Sequence, residues 1–204
     1  MQHGILFDHA RTARIGLPEA VFCEGKPFEA LVELLTNFGP KSLQPVLFTR
    51  LAQDVFARVP EEIRQGYDYH ALSRTAFSRT LPQRAVSCNA SGGIVACGGV
   101  AIISAGTADG FVAWEAARTL QYLGIPHKVF ADCGVAGLWR LAERLEEVNS
   151  HDAVIVVAGL DAALASVMGG LTPSPVFAVP TSVGYGAAAG GRAALASMLS
   201  SCAP

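Results

Sequence analysis

Four short apolar runs alternate with helix-period stretches in the second half of the chain, and this alternation restricts the fold more than any other feature. Residues 100–105 (VAIISA), 128–131, 153–158 (AVIVVA) and 176–179 have the length and β-branched content of strands. After the first run, Val112, Ala116, Leu120 and Leu123 recur at the spacing of one helix face, and Gly124-Ile125-Pro126 ends that helix. A glycine-rich turn through Gly137 leads into a helix over residues 138–147. A short helix follows Asp161, and a small-residue helix covers residues 187–200. Such a βαβαβαβα order predicts a parallel sheet with right-handed crossovers and helices on both faces.

The first half follows a looser version of the same pattern. Residues 19–23 read as a strand, 28–38 as an amphipathic helix, 45–50 as a strand and 54–65 as a helical stretch interrupted by Pro60. Polar and basic residues then accumulate over 75–89 without periodicity. The expected organisation is therefore a small α/β domain over residues 1–90 and a second domain over 91–204, with no internal repeat.

A mean hydropathy of +0.37 raises the question of membrane spans. Residues 85–108 and 162–191 carry no formal charge, but glycine and proline break both (Gly92-Gly93, Gly98-Gly99, Pro173, Pro175, Pro180). A spanning helix needs roughly 20 mainly apolar residues without repeated breaks, so these stretches read as strands covered on both faces. A net charge of −2 and the absence of a Lys/Arg cluster argue against nucleic-acid binding, which depends on neutralising phosphates. The first residues, Met1-Gln2-His3-Gly4, do not resemble a signal peptide. Five cysteines with no CxxC pair suit neither a disulfide framework nor a zinc knuckle, and a reducing cytoplasm is the expected compartment. Cys23, Cys97 and Cys133 read as packed thiols and Cys88 as incidental. By position alone Cys202 is an incidental exposed thiol.

Ligands in open parallel sheets bind beyond the carboxyl ends of the strands, where four loops qualify here. The loop from Ser104 to Gly110 holds Gly106, Thr107 and Asp109 and opens a helix, so it suits a phosphate, although a capped helix start explains it equally well. Asp132, Gly134 and Gly137 lie in the second loop, and Asp161 follows Ala158-Gly159 in the third. Either carboxylate could orient a substrate, move a proton or cap a helix. The fourth loop carries Thr181, Ser182, Gly184, Tyr185 and Gly186, with glycines that allow a ligand close to the backbone. One small-molecule site built from all four is the expectation.

The runs Ala105-Gly106-Thr107-Ala108-Asp109, Asp132-Cys133-Gly134-Val135-Ala136-Gly137, Val156-Val157-Ala158-Gly159, Val179-Pro180-Thr181-Ser182-Val183-Gly184-Tyr185-Gly186 and Ser201-Cys202-Ala203-Pro204 together resemble the LarB family. These are pyridinium-3,5-biscarboxylic acid mononucleotide synthases within the wider PurE (aminoimidazole ribonucleotide carboxylase) family. Asp8-His9-Ala10-Arg11-Thr12-Ala13-Arg14-Ile15-Gly16-Leu17-Pro18-Glu19 and Glu24-Gly25-Lys26 resemble that family's first domain, which PurE lacks.

The resemblance implies a PurE-like, flavodoxin-like three-layer α/β sandwich behind a small α/β domain. It also implies carboxylation of the pyridinium ring of nicotinic acid adenine dinucleotide, with carbon dioxide or bicarbonate as co-substrate and release of AMP, on the way to the nickel-pincer nucleotide. Cys202 stands at the family's cysteine nucleophile and Asp161 at its catalytic carboxylate, a glutamate in the family. Ala108 replaces a loop serine. Trp139, followed by Arg140, replaces a histidine. The implied setting is a cytoplasmic homo-oligomer, such as an octamer, using Mg2+ and no organic cofactor. Two alternatives are an aminoimidazole ribonucleotide carboxylase/mutase of purine synthesis and a catalytically impaired nucleotide-binding homologue.

Overall fold

The computed structural model describes residues 4–82 and 98–203, which form two compact units, Met1–Pro82 and Gln83–Pro204. The expected boundary near residue 90, together with Cys88 and Cys97, lies outside the described residues.

The first unit contains α1 (Arg11–Ile15), β1 (Ala20–Phe22), α2 (Phe28–Asn37), β2 (Leu47–Thr49), α3 (Gln53–Arg58), α4 (Glu61–Arg64), β3 (Asp68–His70) and β4 (Thr75–Phe77). Its sheet runs β1-β2-β4-β3, with β1 and β2 parallel and the other pairs antiparallel. Helix α2 starts after Pro27, carries Glu29 in its first turn, where the helix dipole favours an anion, and buries Ala30, Leu31, Leu34 and Leu35. Leu31, Leu34 and Leu35 pack with Val21, Phe48 and Phe56 into one core, and Tyr67 donates its buried hydroxyl to the Leu35 carbonyl at 2.7 Å.

The β3–β4 hairpin is a correction, because residues from Thr75 onward read as an aperiodic connection. Thr75, Ala76 and Phe77 are all buried. Three residues are too few to show a period of two. The Thr75 hydroxyl pairs with Ser73 Oγ at 2.8 Å, so a polar residue sits inside the sheet without an unmet hydrogen bond.

The second unit contains β5 (Val100–Ser104), α5 (Gly110–Tyr122), β6 (His127–Phe130), α6 (Trp139–Ala142), α7 (Leu145–Val148), β7 (Ala153–Ala158), α8 (Ala163–Gly169), β8 (Val176–Pro180) and α9 (Arg192–Leu199). All four strands are parallel in the order β6-β5-β7-β8. This is the flavodoxin-like order, with crossovers on both sides of the sheet. Side chains alternate across β5 and β7. Ala101, Ile103, Val154 and Val156 meet Leu141, Leu164, Met168 and Ala194 on one face, while Ile102 and Val157 meet Ala113 and Ala117 of α5 on the other. Truncating a residue such as the fully buried Ile102 to alanine would cost about 2–5 kcal/mol.

Four sequence expectations change in detail. The fully buried stripe of α5 is Ala113 and Ala117 with Tyr122, whereas Val112, Ala116 and Leu120 are only partly buried, because the small residues bring the helix close to the sheet. The helix expected over 138–147 is two short helices interrupted at Glu143 and Arg144. The last helix starts at Arg192 rather than 187, because Gly190 and Gly191 adopt left-handed φ of 74° and 76°. Strand β8 is an edge covered on neither face throughout, and Phe177 is 59% exposed. Its proline is tolerated there because one side of an edge strand needs no N–H donors. No helix among the described residues is long and apolar enough to cross a membrane.

Candidate active site

The ends of β5, β6 and β7 and the loops that follow them enclose a cavity of about 520 Å³. Gly106, Thr107 and Asp109 line it from the first loop, Gly134 from the second, Arg140 from α6, Asp161 from the third loop, and Val183 alone from the fourth. Apolar side chains and exposed backbone make up much of the remaining wall. The predicted loops therefore converge, but they contribute unequally.

Asp109 is buried and anchors the first loop. Its Oδ2 accepts the Gly106 N–H at 2.9 Å and its Oδ1 accepts the Thr181 hydroxyl at 2.7 Å. Thr181 is 3% exposed and does not reach the cavity surface. Gly134 faces the first loop so closely that a Cβ there would sit 2.8 Å from the Ala105 carbonyl oxygen.

Asp132 stands just past β6 with a φ of 59°, and its carboxylate holds Arg140 at 3.1 Å. Gly137 leaves room for that guanidinium, since a Cβ would come within 2.7 Å of Arg140 Nη2. Arg140 Nε is buried with no hydrogen-bond acceptor among the described residues. Trp139 is 63% exposed beside it, with the guanidinium carbon 5.8 Å from the indole centroid. Asp161 is exposed and lies between Leu160 and Ala162, whose φ values of 54° and 53° are left-handed. Asp132 and Gly137 lie off the cavity lining, whereas the left-handed Leu160 and Ala162 line it, Ala162 as a buried core residue. Such conformations cost about 1–2 kcal/mol each and persist where the surrounding structure fixes them.

Cys133 is buried in the core below the second loop, as its packed reading requires. Burial pushes its thiol pKa up, against the opposing effect of Arg144 at 3.5 Å. Cys202 is exposed and is not among the cavity-lining residues. Its segment is tied to α8, because Ser201 and Ser166 hydroxyls pair at 2.8 Å. Ser182, Gly184, Tyr185 and Gly186 also lie off the lining, and Tyr185 is 81% exposed. Among the described residues no group of three or more His, Cys, Asp or Glu side chains is placed to hold a metal ion.

Sequence reasoning left Arg140 and the apolar lining, Val135, Leu160 and Val183, out of the site. Arg140 had a usable signal: it is a cation one helical turn beyond a glycine-rich loop that also carries Asp132.

A LarB/PurE-like N-terminal domain matches residues 4–80, and an AIR carboxylase domain matches residues 99–204. The chain belongs to the LarB/PurE-like carboxylase family. The uncharacterized protein MJ0165 of Methanocaldococcus jannaschii is 30% identical over 210 residues, covering 100% of this chain and 77% of that protein. The carboxylase domain matches the whole of the parallel-sheet unit from β5 to α9, and so contains every residue that lines the cavity.

Proposed function

We propose that the protein carboxylates the pyridinium ring of nicotinic acid adenine dinucleotide and hydrolyses its phosphoanhydride, releasing AMP, as a LarB-like step toward the nickel-pincer nucleotide. The observation that carries this reading is the pairing of the LarB/PurE-like first domain with the carboxylase domain, since PurE lacks the former. A pyridinium ring is too electron-poor to attack carbon dioxide. Addition of the Cys202 thiolate at ring C4 gives a dihydropyridine in which C5 is enamine-like and can form the new carbon–carbon bond. A base then takes the C5 proton, the C4–S bond breaks with its electron pair returning to sulfur, and the ring regains its charge.

Asp161 is the proposed base: it lines the cavity and its carboxylate is exposed to a ligand. The Cys202 segment is joined through Ser201 and Ser166 to α8, whose first residues Ala163 and Leu164 line the same cavity. Loop residues 106–108 on the cavity wall suit an anionic phosphate, and Arg140 adds a cation to the lining. Mg2+ carried in with the phosphoanhydride would be held by Asp161, the exposed cavity carboxylate, whose Oδ1 also accepts the Ala163 N–H at 3.4 Å, and would offset phosphate charge.

Incubating the protein with nicotinic acid adenine dinucleotide, bicarbonate and Mg2+ tests the proposal. AMP and a product heavier by one carboxyl group are expected. AMP alone would mean hydrolysis without carboxylation, and turnover of aminoimidazole ribonucleotide instead would favour the PurE-type reaction indicated by the AIR carboxylase match. Binding without either product would indicate an impaired homologue. Homo-oligomeric assembly belongs to the same proposal and is read by light scattering.

A further inference from the structure

We infer that Thr181 is a positioning residue that acts through Asp109, rather than a ligand of the substrate, and that it sets the shape of the loop proposed to receive the phosphate. Strands β5 and β8 are not neighbours, because β7 lies between them. The hydrogen bond from the Thr181 hydroxyl to Asp109 Oδ1 at 2.7 Å therefore spans a whole strand and ties the first ligand loop to the fourth. Both residues are 3% exposed.

Gly159 opens the way for this bridge at the end of β7, where a Cβ would lie 2.6 Å from Thr181 Oγ1. The backbone fixes Thr181 on two further sides. Its N–H donates to the Ala158 carbonyl at 3.0 Å, and the Leu160 N–H donates to the Val183 carbonyl at 2.8 Å. Held in this way, Thr181 determines which way the Asp109 carboxylate faces. Asp109 in turn determines the Gly106 N–H, which donates to Oδ2 at 2.9 Å. Asp109 supplies no side-chain cap to α5, whose first N–H, that of Gly110, donates to the Thr107 carbonyl, so the carboxylate serves the loop. A buried hydroxyl bonded to a carboxylate is among the stronger neutral-donor contacts, and its loss frees a loop that glycine makes pliable.

The inference rests on the proposed phosphate-binding role of this loop, and its test has one arm that does not. Amide hydrogen exchange of residues 106–110 is measured in wild type, Thr181→Val and Thr181→Ser. Valine keeps the volume and removes both the donor to Asp109 and the weak acceptor of the Val183 N–H at 3.4 Å, so exchange should accelerate about tenfold in residues 106–110, with serine restoring protection. The second arm is turnover of nicotinic acid adenine dinucleotide, where Thr181→Val should raise KM about tenfold, with kcat reduced far less, and serine should return KM toward wild type. Unchanged loop exchange in Thr181→Val would overturn the inference. So would a loss confined to kcat, which would place Thr181 at the reacting atoms, or a serine variant that fails to restore protection. If wild-type protein turns over no dinucleotide, the proposed substrate is wrong while the exchange arm still decides whether the bridge orders the loop.

Discussion

Replacing Gly159 with alanine should be among the most damaging single-methyl additions in the second unit. The added Cβ would lie 2.2 Å from the Val183 carbonyl oxygen, about 1 Å inside ordinary contact, and 2.6 Å from Thr181 Oγ1. Neither obstacle can rotate away, since one is backbone and the other is held by Asp109 and by its own strand. Forced overpacking costs about 1–3 kcal/mol. Displacing Val183 also weakens the Leu160 N–H bond it accepts, worth about 1 kcal/mol, and strains the Thr181–Asp109 bond, worth about 1.5–3 kcal/mol. Because these losses overlap, the net expectation is about 3–5 kcal/mol. Gly186→Ala is the matched control: its φ is +57° but nothing lies within 4 Å, so only the left-handed penalty of about 1 kcal/mol applies. Both tryptophans, Trp114 and Trp139, belong to the second unit, so urea unfolding followed by tryptophan fluorescence reads its stability separately. If Gly159→Ala unfolds at the same urea concentration as Gly186→Ala, the floor of the cavity is not as tight as this reasoning requires.

Three further outcomes follow from other residues. Cys202→Ala should abolish the carboxylated product while AMP release continues, read by mass spectrometry of the same reaction; full carboxylation by this variant would remove the cysteinyl adduct from the mechanism. Asp132→Asn should raise KM for the dinucleotide several-fold by releasing Arg140, yet change the unfolding free energy read in urea by less than about 0.5 kcal/mol, because asparagine tolerates left-handed φ; an unchanged KM would show that Arg140 needs no such anchor. Burial raises the Cys23 thiol from 9.0 to about 12, so between those values the unfolded chain has lost a proton that the folded first unit retains, and its stability falls as pH rises. Cys23→Ala should make that fall shallower in urea titrations at pH 8 and pH 11, and an identical slope would contradict the assignment.

The second unit was legible because each of its central strands is an uninterrupted apolar run bounded by glycine, a pattern that survives in single-sequence view. The strand over Ala153–Ala158 matches its expectation at both ends, since both faces of β7 are covered and nothing polar blurs its limits. The hairpin of β3 and β4 was not legible, because its strands are three residues long and one buried position, Thr75, is satisfied by a side chain only two residues away. In the site, the loops were visible as glycine-rich turns, but their ranking was not. Thr181 and Tyr185 look equally available in sequence, yet one is buried under a cross-strand bond and the other is 81% exposed. That difference depends on Gly159, which belongs to a third loop, so no local reading of 180–186 contains it.

The positions where the resemblance to LarB implies another residue fall on one side of this division. Ala108 and Asp161 are exposed and Trp139 is 63% exposed, whereas Asp109, Thr181, Gly134 and Gly159 form the buried or closely approached floor. A substitution on the rim leaves core packing untouched, so the fold places little constraint on it. A substitution in the floor meets backbone within 3 Å at Gly134 and Gly159, or leaves a buried polar group unpaired at Asp109 and Thr181. Recognition can therefore change at the rim while the cavity keeps its shape. The shorter carboxylate of Asp161 fits this account, because its position depends on two left-handed neighbours, Leu160 and Ala162, rather than on its own length. The Leu160 N–H bond to Val183 and the buried Ala162 hold that backbone, and moving the floor would break the bridge between β5 and β8.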